Sequence, residues 1–218
     1  ARRLVQEFAL GAAPPMPDAQ GRYEPKVGPR ALALSPGAGR LYVTGQRSGD
    51  VTVLELATGR VIDRVRVGAE PVGVLLSPDE STLFVACASD ATVVRIDARA
   101  RAVTGRASTP PKPWSLAWSS DGRSLLATHL LGPGVSAIDP AAMRVTGTQA
   151  FAPVPREADP RLPNGVARGI YDVVPRPGTA ELWVPHLLLS TETAQRPVRA
   201  GDGFELDFET RSEEHTSE

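Results

Sequence analysis

One sequence pattern recurs along this chain at a constant interval of 42 residues. In its clearest copy, residues 71–85, an apolar run is followed by a polar turn and a second apolar run, which predicts two antiparallel strands. The same interval relates Pro29, Pro71 and Pro113; Ser35, Ser77 and Ser119; Leu41, Leu83 and Leu125; Glu55, Asp97 and Asp139; and Val61, Val103 and Val145. A period of roughly 40–45 residues with four strands is typical of a β-propeller blade.

The repeat predicts an all-β fold, a partial β-propeller built from four-stranded antiparallel blades. Two Pro-rich, aperiodic stretches interrupt the repeat and are predicted to be insertion loops. In chain order, the predicted segments are 1–10, the last strand of a preceding blade; 12–26, an insertion loop; 27–66, 67–107 and 108–151, which we number blades one to three; 152–168, an insertion loop; and 169–210, a partial fourth blade.

The number of blades predicts that this sequence is a fragment. Each blade has an apolar face that only a neighbouring blade can bury. A closed ring takes roughly four to eight blades, and this chain provides three whole blades and parts of two others. The final stretch, residues 211–218 (RSEEHTSE), continues no pattern. It looks like a translated sequencing adapter and is interpreted as a non-native tail; the alternative is an ordinary polar tail.

Composition excludes several classes of partner. The formal net charge is −1, so no basic surplus points to a nucleic acid. No apolar run approaches the roughly 20 residues that a transmembrane helix needs, so no membrane span is expected. Cys87 is the single cysteine, which excludes an intrachain disulfide and a CxxCH haem-attachment motif within the sequence.

The repeat resembles a known family. The stretches that carry the resemblance are 71–79 (PVGVLLSPD), 83–85 (LFV), 92–97 (TVVRID) and 41–44 (LYVT). They resemble the YVTN-type β-propeller repeat, well over 27–145 and loosely over 169–184. The resemblance implies a propeller that is usually seven-bladed, often exported to the periplasm or cell surface, and often of unassigned activity.

The resemblance also suggests possible functions. Related propellers include lactonase-like enzymes and modules joined to cytochrome c or di-haem peroxidase domains. Residues 163–169 (PNGVARG) and 182–186 (LWVPH) look like the haem-associated kind. With no CxxCH motif here, any haem would belong to a missing downstream domain.

Strand direction predicts which face of the propeller carries function. In a four-stranded meander the connections from the second to the third strand, and from one blade to the next, fall on one face. Both insertion loops are blade-to-blade connections, and long loops on a rigid framework often carry function. His129 and His186 each follow a second strand, so both are expected on this loop-rich face.

Cys87 occupies the same repeat position as the two histidines. Together, Cys87, His129 and His186 could bind a soft metal or an axial haem position. The alternative is that Cys87 is a small buried residue and that the histidines form hydrogen bonds with loop backbone. The sequence leaves the metal unknown.

A second set of candidates lies near the start of each first strand, which lines the central channel of a propeller. Arg30, Trp114 and Tyr171 share this repeat position, and Arg168 is nearby. Aromatic and arginine side chains in a concave site suit a planar or anionic ligand. The alternative is that Trp114 and Tyr171 fill the channel mouth.

No catalytic motif is present: GxxxxGK[ST], GxSxG and HExxH are all absent, and no catalytic residue is assigned. The sequence therefore favours a binding or scaffold module that presents its loop-rich face to a small ligand or a partner protein. One alternative is the propeller part of an extracytoplasmic haem-dependent redox enzyme. A second alternative is a lactonase-like hydrolase.

Overall fold

A computed structural model describes residues 7–10, 27–132, 134–153, 165–179 and 181–189. These residues form strands and turns. Over these ranges the chain builds three four-stranded antiparallel sheets in series, followed by two two-stranded sheets. The expected all-β, propeller-type architecture is confirmed. Within the described ranges, no helix is long and apolar enough to cross a bilayer.

Blades one to three are meanders in which each strand pairs with the next one. The strands are β1 (Pro29–Ser35), β2 (Arg40–Gly45), β3 (Asp50–Glu55) and β4 (Val61–Arg66); β5 (Pro71–Leu76), β6 (Thr82–Cys87), β7 (Thr92–Asp97) and β8 (Ala102–Ser108); and β9 (Pro113–Trp118), β10 (Leu125–His129), β11 (Gly134–Asp139) and β12 (Arg144–Ala150).

The fourth blade differs from its prediction. Its strands are β13 (Val166–Arg168), β14 (Val174–Pro175), β15 (Leu182–Trp183) and β16 (Leu187–Leu189), with β13 paired to β16 and β14 to β15. Residues 166–168, assigned to a loop from the sequence, therefore form a strand. Blade one shows a similar extension. The amides of Arg47 and Ser48 donate to the Val27 carbonyl there, so hydrogen bonding continues before the start of β1.

Several predicted segments lie outside the described residues. They are 12–26, 154–164 within the second insertion loop, 190–210 within the partial blade, and 211–218. The same holds for residues 1–6 of the predicted first strand, whereas Glu7–Leu10 is described and has no strand assignment. The interpretation of 1–10 as the end of a preceding blade stays a prediction.

One contact of Leu10 bears on that prediction. The Arg64 guanidinium on β4 donates to the Leu10 carbonyl. On the next blade, Arg106 Nη1 donates to the Val67 carbonyl at 2.6 Å. Arg64 and Arg106 share a repeat position. Leu10 therefore contacts blade one in the way that Val67 contacts blade two.

Each blade begins after a residue with a left-handed backbone. The four residues are Gly28, Glu70, Lys112 and Gly169, with φ of 58°, 56°, 56° and 59°. Glycine adopts this conformation readily, whereas glutamate and lysine adopt it at a cost. The shared geometry shows that the repeat register continues into the fourth blade, although Gly169 follows Lys112 by more than one repeat.

The apolar core lies between the blades rather than within them. The first cluster joins blades one and two, with Tyr42, Val53, Leu83 and Ile96 at its centre. The second cluster joins blades two and three, and the third joins blades three and four. The innermost strands β1, β5 and β9 contact one another in series, which places the starts of these strands along a common axis.

Candidate functional site

The structure brings together Arg30, Trp114 and Tyr171, which the sequence placed at one repeat position. The guanidinium carbon of Arg30 lies 5.1 Å from the Trp114 ring centroid. The Trp114 and Tyr171 centroids are 6.3 Å apart with an interplanar angle of 81°, an edge-to-face contact. Arg30 and Tyr171 are exposed and Trp114 is half-buried. We call these three residues the cation–aromatic column.

Blade two makes room for this column. At the equivalent position it carries Val72, which is buried, followed by Gly73. A Cβ atom on Gly73 would lie 2.3 Å from the Trp114 carbonyl oxygen, so β5 and β9 approach closely because residue 73 has no side chain. Arg30 of blade one thereby reaches Trp114 of blade three.

The charge of Arg30 is not neutralised by the described residues, since no ion pair forms there with the described part of the chain. Its contact with the face of Trp114 is the cation–π arrangement that stabilises a guanidinium beside an aromatic ring. An exposed, unpaired guanidinium next to two aromatic rings suits the carboxylate of a planar ligand.

Arg168 lies on β13 and is half-buried. Its Nη1 donates to the carbonyl of Ala167, at 3.0 Å. This hydrogen bond is directed to its own strand rather than to the column, so the prediction that Arg168 joins the ligand site stays untested.

The residues that directly follow Trp114 and Tyr171 in the sequence form a hydrogen bond with each other. Ser115 Oγ donates to Asp172 Oδ1 at 2.7 Å, and the Val173 amide donates to the same oxygen at 2.9 Å. This pair was not predicted from the sequence. The available signal was that Ser115 and Asp172 directly follow Trp114 and Tyr171, so a contact in one pair predicts proximity in the other.

An ion pair on the loop-rich face was also not predicted from the sequence. Lys112 Nζ lies 2.6 Å from Glu70 Oε2, which also accepts from Ser89 Oγ, while Gln46 Nε2 donates to Glu70 Oε1 at 3.2 Å. The hydrogen bonds from Lys112 and then Ser89 lower the pKa of Glu70 below its ordinary value, against a smaller opposing effect of burial. The charge of Lys112, two residues before Trp114, is therefore compensated.

His129 is fully buried and lies in a polar network across blade three. Its Nε2 lies 2.8 Å from Ser136 Oγ, which lies 3.0 Å from Thr148 Oγ1. Its Nδ1 has no hydrogen-bond partner of acceptable geometry among the described residues. Burial lowers the pKa of His129, while the nearby carbonyls of Pro110 and Pro111 oppose this shift only in part.

His186 is half-buried and stacks on Phe151, with the ring centroids 5.4 Å apart and an interplanar angle of 12°. Its Nδ1 lies 3.0 Å from the Val184 carbonyl. This is the backbone hydrogen bond that the sequence analysis gave as the alternative to metal ligation.

The proposed metal ligands are not brought together. Cys87 is buried in the cluster between blades one and two, and burial raises the pKa of its thiol to about 12, which disfavours the thiolate that binds metals. Across the described ranges, no three His, Cys, Asp or Glu side chains are placed to hold a metal ion. Cys87, His129 and His186 each have separate neighbours among the described residues, and a metal site formed by them stays an untested prediction.

Comparisons with known proteins agree on the fold. No family model matches the chain, and no curated protein sequence matches it. The chain is similar in structure to hydrazine synthase of Kuenenia stuttgartiensis, with a TM-score of 0.56 and 18% identity over 80% of this chain and 59% of that one. It is also similar to dihydro-heme d1 dehydrogenase NirN in complex with DHE, with a TM-score of 0.54 and 20% identity over 72% of this chain and 32% of that one.

Both of these proteins contain β-propellers, and at such identities the likeness shows the fold alone. The chain spans less than two thirds of the length of either protein. The resemblance to the YVTN repeat stays a prediction.

Proposed function

We propose that this propeller module binds a planar, anionic ligand on its loop-rich face and has no catalytic activity of its own. The observation that carries the proposal is the cation–aromatic column, in which Arg30 forms no ion pair with the described residues and lies over Trp114, which in turn contacts Tyr171. The guanidinium would hold an acidic group of the ligand, and the rings would contact its planar body.

A tetrapyrrole is the ligand class that we favour. One structural neighbour is named as a dihydro-heme d1 dehydrogenase, which links a protein of this fold to a haem-type molecule. The column fits the carboxylates and flat surface of such a ligand. His129 is fully buried, so we propose that the ligand is held through its carboxylates and its ring face rather than by axial ligation to this histidine.

The second candidate function is a haem-dependent redox enzyme of which this propeller is one part, located in the periplasm or at the cell surface. The same neighbour supports this candidate, as does the resemblance of residues 163–169 and 182–186 to haem-associated propellers. In that case the loop-rich face would meet a haem domain as its protein partner. The lactonase-like alternative gains no support, because no group of acidic and histidine side chains in the described ranges is placed to hold a metal ion.

The proposal is tested by titrating the chain with haemin while recording its Soret absorbance and tryptophan fluorescence. Saturable binding is expected for the unchanged protein. Arg30→Gln is expected to weaken binding about tenfold, as loss of one charged hydrogen bond would do. The matched control is Arg123→Gln, an exposed arginine in the β9–β10 turn on the opposite face. Equal weakening in both variants, or no saturable binding, would overturn the proposal.

A further inference from the structure

Leu130 connects the two segments that carry the aromatic rings of the column. Its amide donates to the Lys112 carbonyl at 2.8 Å, and its carbonyl accepts from the Gly169 amide at 3.0 Å. Lys112 lies two residues before Trp114 in the sequence. Gly169 lies two residues before Tyr171. A shift of Leu130 would therefore be transmitted to both rings.

Directly before Leu130 lies His129, whose imidazole is fully buried. Residue 129 pairs with Pro113 at the start of β9, and its Nε2 lies 2.8 Å from Ser136 Oγ on β11. Gly132 closes a third side, where an added Cβ atom would lie 2.5 Å from the Cβ atom of His129. In so close a packing, the imidazole cannot change position without moving its neighbours.

The buried Nδ1 atom of His129 has no hydrogen-bond partner of acceptable geometry among the described residues. The carbonyls of Pro110 and Pro111 nevertheless lie close enough to favour the charged ring. A neutral imidazole carries one N–H, whereas an imidazolium carries two and needs an acceptor at each. Because a buried donor without an acceptor is costly, protonation would favour a turn of residues 110–112 towards Nδ1. That segment leads directly into Trp114.

Protons can reach this buried ring through two hydroxyl groups. Ser136 Oγ lies 3.0 Å from Thr148 Oγ1, and Thr148 is exposed on β12. A hydroxyl both donates and accepts hydrogen bonds, so the pair can pass a proton between solvent and the Nε2 atom of His129. Titration of this histidine therefore does not require blade three to unfold.

Charged side chains near the ring are directed elsewhere. The described residues that face His129 from β9, β11, β12 and the 130–132 loop carry no charge. In the 110–112 segment, the Lys112 ammonium lies 2.6 Å from Glu70 Oε2. In blade four, Arg168 donates from Nη1 to the Ala167 carbonyl. The lowered pKa of His129 accordingly follows from burial, opposed in part by the two proline carbonyls.

We propose that His129 regulates the ligand site as a pH-sensitive positioning residue. The neutral imidazole keeps the cation–aromatic column in its observed arrangement, and protonation shifts residues 110–112, displaces Trp114 and weakens binding. The inference rests on the proposed function, because that site is the one being regulated. Ligand and proton favour different forms of the chain, so each lowers the affinity for the other. Once the free chain takes up this proton, the Kd is expected to rise by up to about tenfold per pH unit.

The first test needs no ligand. The chain is labelled with fluorotryptophan, and the Trp114 signal is assigned in the fluorine NMR spectrum by its loss in Trp114→Phe. Over about pH 5 to 8, where histidines commonly titrate, we expect this signal to shift with a midpoint below about pH 6.5. His129→Gln is expected to abolish the shift. The matched control is His186→Gln, at the same repeat position in blade four, which is expected to retain it.

A second variant keeps the imidazole, so it applies even where His129→Gln does not fold. Ser136→Ala removes the acceptor that Nε2 of the imidazolium uses, and the midpoint of the Trp114 shift is expected to move to lower pH. An unchanged midpoint would contradict the assignment to His129. So would a Trp114 signal that is independent of pH in the unchanged chain, or one that still titrates in the His129 variant.

Haemin titrations above and below about pH 6.5 separate the regulation from the proposed function. We expect the Kd to rise on acidification in the unchanged chain and in His186→Gln, beyond any rise in His129→Gln, which reports the titration of haemin itself. An equal pH dependence in all three would overturn the regulation and leave the ligand site. So would tighter binding at low pH that depends on His129, since it would show that the added charge attracts the anion. Absence of haemin binding at any pH, with a Trp114 signal that follows His129, would overturn the proposed ligand and retain the response of the column.

Discussion

Arg30 and Trp114 belong to blades that do not adjoin each other, yet the guanidinium carbon of one lies 5.1 Å from the ring centroid of the other. The contact spans blade two, which offers only Val72 and Gly73 at this level. A single small residue in one blade therefore decides whether side chains of its two neighbours can meet.

Gly73→Ala is expected to disturb that contact. The added Cβ would lie 2.3 Å from the Trp114 carbonyl oxygen, so β5 and β9 must separate. We expect a loss of about 1–3 kcal/mol in the free energy of unfolding, as overpacking typically causes, and a changed tryptophan emission spectrum. The control is Gly147→Ala on β12, where the new Cβ would meet nothing within 4 Å. Equal destabilisation by both substitutions would show that the close approach is not responsible.

Tyr42→Phe is expected to leave stability unchanged or to raise it by up to about 1 kcal/mol. The Tyr42 ring is buried between blades one and two, and its hydroxyl has no hydrogen-bond partner among the described residues. Removing an unsatisfied buried hydroxyl removes a desolvation cost and keeps the packing of the ring. Urea unfolding measures the effect, and Tyr171→Phe at an exposed site is the control. A clear loss of stability at residue 42 alone would mean that the hydroxyl is satisfied.

Stability is expected to fall as the pH drops below about 6.5, the ordinary pKa of histidine. Burial lowers the pKa of His129 in the folded state, so below pH 6.5 the unfolded chain binds a proton that the folded chain does not. The unfolding free energy then decreases with falling pH by up to about 1.4 kcal/mol per unit, until the folded-state pKa is reached. Chemical unfolding between pH 5 and 8 measures this slope.

Substitution identifies the residue responsible for this pH dependence. His129→Gln is expected to flatten the slope between pH 5 and 6.5, whatever its effect on stability at pH 8. His186→Gln is expected to retain the slope because it leaves His129 in place. A slope that survives in the His129 variant and is lost in the His186 variant would contradict the assignment.

Glu70→Gln is expected to strengthen binding of an anionic ligand on the loop-rich face. The substitution removes the carboxylate that neutralises Lys112, at 2.6 Å, and leaves a second cation two residues from Trp114. Haemin titration measures the change, and we expect a severalfold lower Kd. Glu80→Gln is the matched control, since Glu80 accepts from Ser35 and Gly37 in the turns of the opposite face. An unchanged or weaker affinity in the Glu70 variant would separate Lys112 from the site.

The strands and the column could be predicted because the repeat fixes both. A constant period determines which residues start each innermost strand, and that was sufficient to group Arg30, Trp114 and Tyr171. The Glu70–Lys112 pair was not predicted, since it depends on two non-glycine residues with left-handed backbone, which no local pattern indicated.

The histidines show a different limit of prediction from the sequence. The repeat placed His129 on the loop-rich face, but its ring is buried against Ser136 of the neighbouring strand. Whether a side chain at a strand end turns towards solvent or into the sheet depends on the size of its cross-strand neighbours, and a small serine leaves space for an imidazole. The strand β13 was not predicted because residues 152–168 are Pro-rich and aperiodic and were assigned to an insertion loop, whereas residues 166–168 pair with β16.

The left-handed residue at the start of each blade has a consequence for how such proteins diversify. Gly169 has nearly the same φ as Glu70 and Lys112, although Gly169 follows a predicted insertion loop and the other two do not. Each blade therefore starts from the same backbone geometry whatever the length of the connection before it. Evolution, or a protein engineer, can lengthen or exchange that connection as an independent cassette, and can vary what the loop-rich face recognises without redesigning the blade that follows.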